Sequence, residues 1–381
     1  MLEIRSKRDC SGCAACVNIC PLACINMQED NEGFLYPYVN EDVCVHCGAC
    51  EKVCPELHSY ERREPERVFA AQNTMQEIRR KSSSGGIFYS LAQQIIAQGG
   101  IVVAARFDEN WEVIHDVAKT IEELPGFLGS KYVQSRIGNS YAKVASFLRE
   151  GHKVLFVGTP CQVAGLKHYL KKDYDNLLTA DVICHGVPSP KVWRMYLQET
   201  FREQNISKID FREKSHGWKN FSFCVEQKSS VGAVTKSVEV FHENPYMKVF
   251  LANLDLRPSC YACKAKDGCS GSDLTIGDYW GIDTVMPDFD DDAGTSAVLV
   301  YNREKVIPYL LNKDLVLRAS EKENIIRSNS CLVKSVPKPA NRAFFFSQMK
   351  NARNFKRVCL LVESPRWVFR LRRFIYRTLG V

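Results

Sequence analysis

No stretch of the 381 residues approaches the ~18 consecutive apolar residues that a bilayer-spanning helix needs. The opening MLEIRSKRD has no apolar segment of the kind found in a secretory leader. The thiols are therefore expected in a reducing compartment, the cytoplasm or the inner face of its membrane. Basic charge is also missing from most of the chain. The formal net charge is +7, but residues 350–381 hold nine Lys or Arg against one Glu, so that tail carries +8 and the remainder −1. A nucleic-acid protein places its basic residues on its body, so no nucleic-acid partner is expected. The length predicts roughly two to three domains.

Cysteine, in contrast, is abundant, with 17 residues. Eight of them fall into two units of C-x2-C-x2-C-x3-C followed by proline: Cys10, Cys13, Cys16, Cys20-Pro21 and Cys44, Cys47, Cys50, Cys54-Pro55. Every ligand and both prolines repeat at one offset, which marks a duplicated unit. The spacing is that of two 4Fe-4S clusters, in which the fourth cysteine of each unit crosses to the other cluster. Cys10, Cys13, Cys16 and Cys54 are thus assigned to the first cluster, and Cys44, Cys47, Cys50 and Cys20 to the second. Zinc is the alternative, but zinc sites set their two pairs well apart, whereas here four thiolates occupy eleven residues twice over. Cys24 has no vacant ligand role and reads as a small buried apolar residue. Each cluster contributes about −2, which brings the holo-protein to about +3.

Residues 1–57 are therefore expected to form a bacterial-type two-cluster ferredoxin fold. The charged stretch 58–67 reads as a linker. From Val68 short apolar strands (VFAAQ, IVVAARF, VLFVG, LLTADVIC) alternate with helical segments near 86–98, 139–149, 161–171 and 190–203. This predicts an α/β domain, a sheet flanked by helices, so that the fold class of the whole chain is α+β. Ligands on such sheets bind where strands give way to helix N-termini.

Three junctions carry unusual chemistry. Ser84, Gly85 and Gly86 open a helix, where small residues let backbone N–H groups approach a phosphate; the alternative is a Ser N-cap with glycines for a tight turn. Cys161 follows the strand VLFVG, and Cys184 follows LLTADVI. With Cys260 and Cys263 they form a further four-thiolate set that spacing leaves open among a third cluster, buried structural thiols and a small zinc clip.

The segments RKSSSGGIFYSLAQQII (80–96), GSKYVQS (129–135), VGTPCQVAGL (157–166), ICHGVPSPKVW (183–193), FREKSHGWKNFSF (211–223), CYACK (260–264) and SDLTIGDYWG (272–281) resemble the family of coenzyme F420 hydrogenase/dehydrogenase beta subunits. The resemblance implies a flavin-binding domain that takes FAD, with 68–150 as its flavin-binding half and 151–340 carrying the third-cluster cysteines. It assigns Cys161, Cys184, Cys260 and Cys263 to a third 4Fe-4S cluster, which would lower the holo-charge to about +1, and leaves Cys269 spare. It also implies Ser84, Gly85 and Gly86 at the pyrophosphate, Thr159 and Gln162 in the flavin site, and Lys131 as the catalytic group beside the isoalloxazine. His185, Asp278 and Trp280 lie in the motifs without a derived role.

The expected function is that of an iron–sulfur flavoprotein oxidoreductase passing electrons among a hydride donor, FAD and the clusters to a redox partner protein or small-molecule acceptor. Three alternatives stand beside it: a reductase of one metabolite (a pigment, a sulfur species or a glycan precursor), a flavin-free electron-transfer module, and a non-redox protein with structural clusters. Residues 341–381 read as a basic helical tail. Its stretch 366–377 places Arg366, Arg370, Arg373 and Arg377 on one stripe that could rest on an anionic membrane surface or an acidic partner.

Overall fold

A computed structural model of the chain describes residues 3–201, 205–229 and 232–351, together with 355, 358 and 359. The N-terminal repeat is visible in the backbone itself. Gly12 and Ala14 stand at φ +72° and +59°, and the matching positions of the second loop, His46 and Gly48, at +52° and +71°. Both loops thus make the same two left-handed steps before the short helices Ala15–Ile19 and Ala49–Lys52. Such steps turn successive N–H groups to one side, a concavity suited to an anion. Between the loops, strands β1 (Ile25–Glu29) and β2 (Leu35–Val39) form an antiparallel hairpin. Asp30 closes its turn by accepting from the Glu32 and Phe34 amides at 2.9 and 3.0 Å.

The body is built on one eight-stranded mixed sheet. Its strands are β3 (Arg67–Asn73), β4 (Ile101–Phe107), β5 (Val113–Ala118), β6 (Val154–Gly158) and β7 (Leu177–Val182). A separate antiparallel sheet follows, of β8 (Asn205–Glu213), β9 (Ser222–Lys228) and β10 (Val234–Val240). The chain then returns to the large sheet as β11 (Leu274–Asp278), β12 (Ser296–Val300) and β13 (Leu315–Ala319). The large sheet runs β13-β3-β12-β11-β7-β6-β4-β5, with β4, β6, β7 and β11 parallel and antiparallel strands on both flanks. Both stretches of the body, 68–150 and 151–340, supply strands to it.

Alternation along the strands explains the layers. Leu155 and Val157 of β6 pack with helix Ile87–Ala97 on one face, while Val154 and Phe156 pack with helices Ser140–Arg149 and Pro160–Leu170 on the other. Because helices cover both faces, all five residues of VLFVG are buried, and the strand reads as a continuous apolar run. Phe211 and Phe223 of the small sheet, with Phe221 just ahead of β9, enter a third core with Trp193, Tyr196 and Tyr246.

The cysteine module is seated on this body. Cys13, Ala14, Ala15 and Val53 share a core with helices Ser140–Arg149 and Pro160–Leu170. Asn18 donates to Gly138 O at 2.8 Å, and Arg342 forks onto Glu32 at 3.0 and 2.7 Å. The stretch 58–67 is not a free tether: the Tyr60 ring lies 4.5 Å from that of His168, and Arg63 donates to Ser272 O. Helix Arg342–Asn351 buries Phe345, Phe346 and Met349 in the core, whereas the stripe 366–377 lies outside the described residues.

Candidate functional site

The strand–helix junctions converge on a cavity of about 620 Å³ at the carboxyl ends of β6 and β7. Ser84, Gly86, Lys131, Thr159, Gln162 and Cys184 all line it. Gly85 stands behind the wall instead. Its N–H donates to Ser296 Oγ at 2.9 Å, and a side chain there would collide with Ala71 O and lie 2.7 Å from Ser296 N. Its glycine identity is thus explained by close packing on the sheet, and its amide is already used. Ser84 Oγ donates to Thr295 O at 2.7 Å, and Lys214 Nζ ties the same loop through Arg79 O, Ser84 O and Ala293 O at 2.7–3.1 Å. Gly86, at φ +85°, turns the chain into helix Ile87–Ala97.

Thr159 and Gln162 form a reciprocal cap on helix Pro160–Leu170, with Gln162 Oε1 accepting from Thr159 N at 2.9 Å. The pattern T-x-x-Q announces such a cap. Gln162 Nε2 continues to Ser135 Oγ at 2.8 Å, and Ser135 to His115 Nδ1 at 3.0 Å. His115 is buried on Phe156 and held neutral, because burial pushes its pKa down to about 4. The Lys131 ammonium donates to Phe127, Leu128 and Gly129 carbonyls at 3.0–3.2 Å, and burial lowers its pKa to about 7. Anionic charge brought beside it would restore the protonated form.

The motif residues without a role, His185, Asp278 and Trp280, also line the cavity. Asp278 receives both terminal nitrogens of Arg212, at 2.8 and 3.1 Å, and the Trp218 indole N–H at 3.0 Å. Arg212 also donates to the Tyr132 hydroxyl at 3.1 Å and lies 4.0 Å from the Phe221 ring centre, while Trp280 stacks on Trp218 at 4.6 Å. His185 lies between Asn253 Oδ1, 2.6 Å from Nε2, and Cys331 Sγ, 3.5 Å from Nδ1. Tyr132, Arg212 and Trp218 lie inside the family segments 129–135 and 211–223, but their pairing, like that of Cys331, joins residues far apart in the chain and is not legible along it.

The thiols gather as three groups. Cys54 lies within electrostatic reach of Cys10, Cys13 and Cys16, and Cys20 lines one recess with Cys44, Cys47 and Cys50, which is the crossed arrangement. Cys24 lies in that recess too, 3.3 Å from Cys20 Sγ, so it is closer to the thiols than a simple core residue. Cys161, Cys184, Cys260 and Cys263 form the third group. Burial pushes their thiols up, Cys184 and Cys260 to about 12, and neighbouring sulfurs of the group add to the rise at Cys161, Cys184 and Cys260. Backbone amides point at the sulfurs of the groups, as Val187 N does to Cys260 Sγ at 3.4 Å. Cys269 stands apart from all three groups, beside Asp267.

Tyr141 lies between the first and third groups. Burial raises its hydroxyl well above the usual range, and Cys13, Cys161 and Cys16 act on it together.

Three family models match the chain: "4Fe-4S dicluster domain" over residues 9–57, and "Coenzyme F420 hydrogenase/dehydrogenase, beta subunit" N-terminus over 68–140 and C-terminus over 151–312. The chain is 23% identical to a component of the F(420)H(2) dehydrogenase of Methanosarcina mazei over 169 residues, 42% of this chain and 48% of that one. It is 24% identical to the coenzyme F420-dependent sulfite reductase of Methanocaldococcus jannaschii over 221 residues, 54% of this chain and 33% of that one. A 7Fe ferredoxin of Hydrogenibacillus schlegelii is 50% identical over 42 residues, 11% of this chain and 47% of that one. The chain thus spans about half or less of the length of these relatives. Among solved structures, a chain of the F420-reducing NiFe hydrogenase complex from Methanosarcina barkeri aligns over 76% of this chain and 94% of its own at 16% identity and a TM-score of 0.45. The chain belongs to the family of coenzyme F420 hydrogenase/dehydrogenase beta subunits, which are iron–sulfur oxidoreductases, and carries a 4Fe-4S dicluster domain in front of the family's two regions.

Proposed function

We propose that this chain is an iron–sulfur flavoprotein that exchanges electrons between a hydride donor at the cavity and a redox partner at the N-terminal module. The observation that carries this reading is the position of Cys184, which belongs to the third thiol group and also forms part of the cavity wall. Cys161, Cys184, Cys260 and Cys263 would hold a third 4Fe-4S cluster beside the two held by Cys10, Cys13, Cys16 and Cys54 and by Cys44, Cys47, Cys50 and Cys20. FAD in the cavity would supply the conversion between a two-electron hydride and the single electrons that clusters carry.

The residues divide the work. Ser84 and Gly86 would bound the pyrophosphate at the start of helix Ile87–Ala97, where the helix dipole favours negative charge. Thr159 and Gln162 hold the cavity wall through the cap and the Ser135–His115 chain. Lys131 would hold its proton against negative charge on the bound ring. The crossed second group, with Cys47 exposed, would face the partner protein. No helix among the described residues is long and apolar enough to cross a membrane. Contact of the 366–377 stripe with an anionic membrane is a separate proposal, which unchanged liposome sedimentation on deleting the tail would refute.

Anaerobic purification followed by acid release and chromatography tests the reading. About twelve iron atoms and one flavin per chain are expected, with Cys184→Ser losing about four irons and keeping about eight. About eight irons and no flavin in the wild type would instead identify a ferredoxin-type electron-transfer module.

A further inference from the structure

Arg257 is fully buried, and its guanidinium is committed to the first thiol group. Nε donates to Cys10 O at 2.8 Å, one terminal nitrogen to Gln134 Oε1 at 3.0 Å, and the other to Leu35 O at 2.9 Å and Cys10 Sγ at 3.6 Å. Its flat face covers Tyr36 at 4.2 Å and Phe34 at 5.5 Å. Gly12, at φ +72°, permits this approach, since a side chain there would lie 2.8 Å from the guanidinium. No carboxylate forms an ion pair with Arg257 among the described residues. Glu56 lies within electrostatic reach of the guanidinium but does not pair with it, so a dense anion hydrogen-bonded to Arg257 would answer its burial more directly. A cluster with four thiolates carries about −2 and answers that need.

The same residue begins the loop of the third group: Cys260 N–H donates to Arg257 O at 3.0 Å, and Arg257 N–H to Val187 O at 3.0 Å. Thus one side chain reaches from the backbone of the cavity-side group to a sulfur of the first. The second group differs. Among the described residues no cationic side chain is hydrogen-bonded to its thiols, and Cys47 is exposed.

We propose that Arg257 is a positioning residue for electron transfer: its buried charge raises the reduction potential of the cluster held by Cys10, Cys13, Cys16 and Cys54, and so draws an electron from the cavity-side group into the relay. A cation hydrogen-bonded to a cluster sulfur favours the more negative, reduced state, and charge and hydrogen bonding at the sulfurs are the levers by which a protein tunes a cluster. The step is a one-electron transfer, in which the third cluster is oxidised and the first reduced, with no bond made or broken. This inference rests on the three-cluster relay proposed above.

An anaerobic redox titration of the holoprotein, followed by electron paramagnetic resonance, provides the test. Gln134→Glu sets a carboxylate on the same guanidinium nitrogen at nearly constant volume, and Arg257→Gln removes the charge. Each is expected to lower the midpoint of one cluster by about tenfold in its reduced-to-oxidised ratio, about 59 mV, while Arg257→Lys stays nearer to wild type and the other clusters stay put. Unmoved midpoints in Gln134→Glu at full iron content overturn the proposal, and that variant decides the matter if Arg257→Gln loses its iron. A wild-type chain holding only about eight irons would refute the third-cluster relay instead, a result read from metal content before any potential is measured.

Discussion

Gly165 faces Cys13 so closely that a methyl group on it would stand 3.0 Å from Cys13 Sγ and 2.9 Å from the Tyr141 hydroxyl. Helix Pro160–Leu170, which begins with Cys161 in its first turn, is therefore pressed onto the first cysteine loop by the absence of a side chain. The contact sets Cys13 against the helix one turn along from Cys161, with Tyr141 in reach of both.

Gly165→Ala is expected to pry this interface apart. Overpacking of this kind costs about 1–3 kcal/mol, and iron content of the N-terminal module should fall with stability because Cys13 is displaced. Thermal unfolding and iron analysis of the anaerobic variant check both effects; unchanged values would mean that the loop shifts freely.

Asp278→Ala should rank among the most damaging substitutions in the cavity. It strands Arg212, which is 3% exposed, without its counter-ion, and breaking a buried pair from one side costs about 3–5 kcal/mol. Replacing both partners by apolar residues, as in Arg212→Met with Asp278→Leu, should recover much of that loss. Urea denaturation of the single and double variants measures the difference.

Acid should weaken the fold through His115. Its folded pKa is about 4, against about 6.5 for an unfolded histidine, so between those values the unfolded chain binds a proton that the native chain refuses. Stability therefore falls as the pH drops through that window, by about 2 kcal/mol between pH 7 and pH 5 for this residue alone. His115→Gln should flatten that part of the dependence in paired denaturation curves at the two pH values.

Two glycines separate packing from mere flexibility. Gly85→Ala drives a methyl group into the backbone of β3 and β12 and should abolish the fold of the Ser82–Gly86 loop, whereas Gly126, with nothing within 4 Å of its missing side chain, should accept alanine within about 0.5 kcal/mol. Circular dichroism melts of both variants, made side by side, test this.

Much of this architecture is legible along the chain, because it is local. The strands β3, β4, β6 and β7 and the helices between them follow apolar runs and their punctuation, and the carboxyl-end cavity follows from the parallel order of β6 and β7. The sheet of β8, β9 and β10 does not show in that reading: β10 is almost wholly exposed and lacks the alternation that marks a half-buried strand. The stretch 58–67 looks like a tether by composition, since polar residues that dock by hydrogen bonds and ring contacts resemble those that face water.

What the sequence determined by itself is the pair of cysteine loops, whose ligands sit within a few residues of each other so that spacing alone specifies the chemistry, and the motifs that mark the family. What only the tertiary structure decided is how those loops meet the rest. The use of Gly85 against the sheet, the Arg212–Asp278 pair, the convergence of Cys161 and Cys184 with Cys260 and Cys263, and the reach of Arg257 to Cys10 all join residues distant in the chain. Burial gives each of these contacts its force, because a charge or a thiol has its ionisation and its partner chosen by what excludes water around it, and that exclusion exists only once the layers have packed.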